Sequence, residues 1–233
     1  AQRAEWCGRR DGATVPVMRT RIKICCIASP AEAALAVRHG ADAVGLVGPM
    51  PSGPGPLPLD EIAAIAATVP PPVTPFLLTS ETEPEGILAA VQQTRVMTVQ
   101  IVTHIDPGHY AELRQARGLR LIQVVHVEDE ASVALAADYA RRADALLLDS
   151  GRPSLAVPEL GGTGRAHDWR LSARIVAASS VPVFLAGGLA PGNVAEAIRA
   201  VRPYGVDVCS RLRSGGALDA AKLAAFVRAV AAA

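Results

Sequence analysis

Short apolar runs bounded by Gly, Pro, Asp and Ser recur at about 22–27, 43–47, 73–79, 97–102, 120–125, 144–149, 182–187 and 205–209. Such runs read as buried strands, and the Ala-rich stretches between most of them carry helical spacing. Eight strands alternating with helices predict a parallel sheet, because each crossover must return the chain to the same edge direction. Three units begin alike, at Gly40-Ala41-Asp42-Ala43-Val44, Arg142-Ala143-Asp144-Ala145-Leu146 and Gly205-Val206-Asp207-Val208, as a recurrent turn entering each strand would produce. An open doubly wound sheet would place a Gly-rich dinucleotide turn after the first strand, and Cys25-Cys26-Ile27-Ala28-Ser29 is not one. The expected fold is therefore α/β, a single (β/α)8 TIM barrel over residues 21–233. Residues 1–20 show no clear period and read as a flexible N-terminal arm or leader.

Composition adds to this picture. A chain of 233 residues fits one barrel, and with 50% hydrophobic but only 3% aromatic residues the core must be built mainly from Ala, Val, Leu and Ile. A net charge of +1, with scattered arginines, argues against a nucleic-acid partner and leaves small neutral or anionic metabolites. No run is long enough to span a membrane, so no membrane partner is expected. Cys7, Cys25, Cys26 and Cys209 lack zinc spacing, and they read as reduced thiols of a cytoplasmic protein. Adjacent Cys25 and Cys26 point to opposite faces if their run is a strand. The histidines show no ligand spacing, so no metal is expected. His126, ending the fifth strand, faces either the ligand or the core edge.

Chemistry concentrates at strand ends, where a barrel puts its catalytic loops. Cys25 ends the first run and Asp149 the sixth, so a thiol and a carboxyl stand as general base and general acid across one small substrate. Lys23 shares a face with Cys25, where it would favour the thiolate and contact the substrate, although a buried cysteine is more often a small hydrophobe. The strand and turn through Gly187-Gly188, followed by a helix near Asn193, offer exposed N–H groups to a phosphate, and Ser210 and Arg211 supply a hydroxyl and a cation at the next strand end. A second glycine cluster, with Gly162, either approaches the ligand or is a plain excursion before the helix near His167. The loop Gly48–Pro58 is too rich in Pro and Gly to be helical through its middle; it is either a rigid crossover or a substrate cover.

The segments Lys23-Ile24-Cys25, Gly40-Ala41-Asp42-Ala43-Val44-Gly45, Leu146-Leu147-Leu148-Asp149, Gly161-Gly162-Thr163-Gly164 with Asp168-Trp169, Leu185-Ala186-Gly187-Gly188-Leu189 with Asn193-Val194, and Val201-Arg202-Pro203-Tyr204-Gly205-Val206-Asp207-Val208 together resemble the phosphoribosylanthranilate isomerase family of tryptophan biosynthesis. The resemblance implies an Amadori rearrangement of an N-linked phosphoribosyl aminoaldose to an aminoketose, without a cofactor. It implies Cys25 as base, Asp149 as acid that protonates the ring oxygen, and phosphate held by the Gly187-Gly188 turn and the Ser210 region. The partner would be a small phosphorylated sugar, and either a monomer or a homodimer is compatible. Departures stand beside the match. Cys26 replaces a usual glycine, and His167 replaces an aromatic. The fourth strand ends Gln100-Ile101-Val102-Thr103-His104 where the family tends toward Gln-Leu-His-Gly, and Leu77-Leu78-Thr79-Ser80 is atypical. The loop after the second strand lacks the arginine that pairs with the substrate carboxylate, leaving Arg165, Arg211 and Arg213 as candidates to replace it. The alternatives are a non-catalytic phosphometabolite binder on the same scaffold and a barrel enzyme for a different phosphosugar.

Overall fold

Residue parity in β1 (Arg21–Ile24) sets the architecture: Ile22 and Ile24 face outward to the helices, while Lys23 faces inward and is wholly buried. The computed structural model describes residues 19–151 and 167–233. Around β1 the chain lays down β2 (Ala43–Val47), β3 (Thr74–Thr79), β4 (Thr98–Ile101), β5 (Arg120–His126), β6 (Ala145–Asp149), β7 (Val183–Leu185) and β8 (Gly205–Val208). All neighbours are parallel, and β8 pairs with β1 to close an eight-stranded barrel. Between the strands run α1 (Pro30–Arg38), α2 (Leu59–Ala66), α3 (Pro84–Thr94), α4 (His109–Leu113), α5 (Ala131–Ala140), α6 (Trp169–Ala178) and α7 (Val194–Val201), with α8 (Ala220–Ala231) following β8. The expected (β/α)8 TIM barrel is the observed fold.

Two apolar layers result. One lies between strands and helices, built on residues such as Ile24, Leu46, Leu77, Val99, Leu146, Val206 and Phe226. The other fills the barrel, where Ala43, Phe76, Leu78, Ile122, Val124, Leu147 and Phe184 meet. With few aromatics, small residues decide where they fit: a Cβ at Gly205 would sit 2.6 Å from the Phe184 ring, so glycine at the foot of β8 makes room for it. Phe76 and Phe184 then pack edge to face at 6.0 Å.

The recurrent strand-entry sequence has a physical cause in two of its three copies. Asp42, just before β2, accepts from the Ile22 N–H at 2.9 Å, and Asp144, just before β6, accepts from the Leu121 N–H at 2.8 Å. Each carboxylate satisfies a donor at the foot of the preceding strand. Asp207 differs, because it lies inside β8 and points into the barrel. Helix starts follow local chemistry: Ser29, Asp168 and Asp219 cap α1, α6 and α8 by accepting from backbone N–H groups, and Pro30 and Pro84 occupy first-turn positions. One element went unanticipated, a small antiparallel pair of β9 (Arg213–Ser214) and β10 (Ala217–Leu218) between β8 and α8. No described helix is long and apolar enough to cross a membrane.

Candidate active site

Lys23 anchors the site from inside the barrel. Its Nζ lies 2.9 Å from Asp207 Oδ1, on the neighbouring strand in direct register, and 5.4 Å from the centre of the Phe76 ring. Burial works against the ammonium, but Asp207 and the Cys25 sulfur outweigh it and hold its pKa above the ordinary value. Two residues on, Cys25 faces the same interior, is buried, and is a free thiol. Burial pushes that thiol up to about 11, Lys23 opposes the rise, and Asp207 adds to it. Both side chains need the missing side chain of Gly45 on β2, where a Cβ would stand 2.7 Å from Cys25 Sγ and 3.0 Å from Lys23 Nζ. Gly45→Ala is therefore expected to cost about 1–3 kcal/mol by overpacking and to displace Cys25. A fall in the urea midpoint together with a lowered kcat would show both effects.

Asp149 ends β6 and accepts from the Ser150 N–H at 2.7 Å. Burial raises its carboxyl above the usual range, against the opposing pull of that hydrogen bond and of His126. Among the described residues, a cavity at the C-terminal ends of the strands is lined by Cys25, Asp149, Gln100, Gly187, Gly188, Ser210 and Arg211 among others. Its position agrees with the face where barrel enzymes work. Gly187 and Gly188 adopt φ of 81° and 65°, a turn that side chains resist, and neither N–H donates to a backbone carbonyl among the described residues. Asn193 braces this turn, donating to the Gly188 carbonyl and accepting from the Ala190 N–H. Ser210 and Arg211, in the short 3-10 turn after β8, border the same space.

The structure thus brings together Cys25, Asp149, Gly187, Gly188, Ser210 and Arg211, with Lys23 beneath them, while Gly162 and Arg165 lie outside the described residues. The loop after β2 contributes Met50, Ser52, Gly53 and Pro54 to the lining, which favours a cover over a mere crossover. Arg213 is committed elsewhere: it pairs with Glu32 at 3.0 Å and donates to the carbonyls of Gly216 and Cys26. Arg211 is a cation of the cavity lining among the described residues. Sequence reasoning missed Gln100, a buried β4 residue whose Oε1 has no hydrogen-bond partner among the described residues and which lines the cavity. Its inward parity with Val102 was the available signal. His126 is buried with Nε2 3.0 Å from the Val102 carbonyl, in register with Asp149. His104 instead stacks on Tyr139, away from the cavity. Among the described residues no group of His, Cys, Asp and Glu is arranged to hold a metal.

The thiols need a correction. Cys26 and Cys209 are joined as a disulfide, with Cα atoms 5.9 Å apart, so they are not the reduced pair that composition suggested. Nor does Cys26 turn away from Cys25. The strand stops at Ile24, Cys26 takes φ of 60°, and this left-handed step ends the alternation so that both cysteines line the cavity.

The family model for N-(5'-phosphoribosyl)anthranilate isomerase matches residues 22–229. The chain belongs to the phosphoribosylanthranilate isomerase family. A relative of that name from Methanocella arvoryzae is 38% identical over 192 residues, covering 82% of this chain and 88% of its own length. The crystal structure of phosphoribosyl anthranilate isomerase from Thermotoga maritima superposes with a TM-score of 0.79 at 29% identity, over 92% of this chain and 100% of that one. Another isomerase structure, in complex with reduced 1-(o-carboxyphenylamino)-1-deoxyribulose 5-phosphate, matches with a TM-score of 0.77 at 26% identity, over 92% of this chain and 100% of its own. Phosphoribosylanthranilate isomerases are aldose–ketose isomerases that carry out an Amadori rearrangement in tryptophan biosynthesis, and this chain is an isomerase of that kind.

Proposed function

We propose that this isomerase acts on phosphoribosylanthranilate, with Asp149 as general acid and Cys25 as general base across the C1–C2 unit of the sugar. The observation that carries the reading is that both groups line one cavity with the phosphate-type turns after β7 and β8. Asp149 suits the first step because burial favours its protonated form, from which it gives a proton to the ring oxygen. The C1–O bond then breaks and leaves an iminium at C1, which makes the C2 proton acidic. Cys25 rests as a thiol, since burial holds its pKa near about 11. The carboxylate that ring opening leaves on Asp149 takes up the thiol proton, and a cationic iminium beside Cys25 favours the thiolate. The base thus forms as C2–H becomes removable, and taking that proton restores the thiol. Loss of that proton gives an enolamine, which tautomerises to the aminoketose.

Phosphate is held by the Gly187 and Gly188 N–H groups, Ser210 and Arg211. The Gln100 Oε1 accepts from a sugar hydroxyl, since a buried carbonyl without a donor is costly. The loop after β2 covers the aromatic end through Met50 and Pro54. The enzyme works in the cytoplasm as a monomer or homodimer, with the phosphorylated sugar as its partner and no cofactor.

Arg211→Ala tests the phosphate assignment. Losing a charge-assisted contact is expected to raise KM for phosphoribosylanthranilate about 10- to 100-fold, with kcat changed far less. An unchanged KM would remove Arg211 from the phosphate site.

A further inference from the structure

We propose that Cys26 and Cys209 form a reversible dithiol–disulfide site that sets the affinity of the phosphate corner. The proposal rests on the assignment of Ser210 and Arg211 to that corner. Cys26 follows the catalytic-base position directly, Cys209 directly precedes Ser210, and all of them line one cavity. The bridge therefore ties the end of β1 to the segment that carries the phosphate hydroxyl and cation. Their Cα separation of 5.9 Å lies within the ordinary span of a disulfide.

The two ends are held differently. Cys26 is buried, and its carbonyl accepts from Arg213, whose guanidinium also pairs with Glu32; Glu32 in turn accepts from the Ala28 and Leu218 N–H groups. This network fixes the Cys26 backbone without help from sulfur, so reduction leaves one end in place and the thiols can meet again. Cys209 is half-buried, while Ser210 and Arg211 are exposed. Cys209 lines the open cavity, where a small reagent can approach it, and Ser210 and Arg211 form the short span between the bridge and the anchored pair of buried Leu212 and Glu32-bound Arg213. Closing the bridge orders Ser210 and Arg211 before phosphate arrives, which lowers the ordering cost of binding. In the cytoplasm a reachable disulfide beside an active site is of the redox-responsive kind.

The exchange balances with a small dithiol. One thiolate attacks Cys209 Sγ, and the Cys26 sulfur leaves and takes a proton. The reagent's second thiolate attacks the mixed disulfide and leaves as a cyclic disulfide, and Cys209 is released as a thiol. Two electrons pass to the protein, and a small-molecule disulfide reverses the process.

The test equilibrates the whole chain in oxidised or reduced dithiothreitol, reads Cys26 and Cys209 by alkylation and peptide mass spectrometry, and measures inorganic phosphate binding by calorimetry. The bridged form is expected to bind phosphate about fivefold or more tighter, and by linkage saturating phosphate should shift the dithiothreitol ratio at half-reduction by the same factor. Cys209→Ser should show the weaker affinity in both buffers. Equal affinities in bridged and opened protein, with Arg211→Ala binding more weakly than either, would overturn the redox proposal alone. If Arg211→Ala binds as tightly as the unmodified protein, the corner assignment falls, and the affinity effect with it. Cys26 and Cys209 both alkylated under oxidised dithiothreitol would overturn the bridge itself.

Discussion

Asp149→Ala is expected to lower kcat about 100- to 10,000-fold while changing KM little, the range typical for loss of a general acid. The carboxyl sits at the end of β6 on the cavity, and its environment favours the protonated form needed to open the sugar ring. Asp149→Asn should lose nearly as much. An amide keeps the acceptor for the Ser150 N–H, now at 2.7 Å, yet has no proton to give. The pair of variants therefore separates acid chemistry from local structure, provided both melt near the unmodified protein. Steady-state kinetics decide it: an Asn variant with near-normal kcat would mean that hydrogen bonding alone is what Asp149 supplies.

The second large effect is on stability. Lys23→Met should cost about 3–5 kcal/mol, because it leaves Asp207 charged in the barrel with its partner gone. Met keeps the length and apolar stem of lysine, so packing against Phe76 changes little and the loss is chiefly electrostatic. Removing the second charge as well, in Lys23→Met with Asp207→Leu, should recover much of the stability, since the buried pair and an apolar pair are often close in energy. Urea unfolding of the unmodified protein and the two variants measures this; a single variant no less stable than the double would show that the charge pair is not what Lys23 provides. Activity need not recover with stability, because Lys23 also favours the Cys25 thiolate.

The eight strands were legible because a parallel barrel buries both faces of each strand, which makes apolar runs stand out between turns. Their ends moved by a few residues: β1 stops at Ile24 and not near residue 27, and β7 spans only Val183–Leu185. That Asp149, Gly187, Gly188 and Ser210 line one cavity was readable from position alone, since strand ends in this fold converge. What stayed hidden depends on contacts distant along the chain. Lys23 looked like an aid to Cys25, but its partner Asp207 is 184 residues away. The Cys26–Cys209 bridge spans 183 residues and needs a left-handed Cys26 that a strand pattern does not suggest. Gln100 was passed over within an apolar run, because an orphaned carbonyl is visible only when its surroundings are known.

The most direct measurement is a fluorescence time course with freshly generated phosphoribosylanthranilate, comparing the unmodified protein with Cys25→Ala. Conversion well above the spontaneous rate is expected from the unmodified protein, and its loss in the variant with the fold intact. Conversion by Cys25→Ala at the unmodified rate, or none by a folded unmodified protein, would contradict the assignment of Cys25 and Asp149 to this isomerisation.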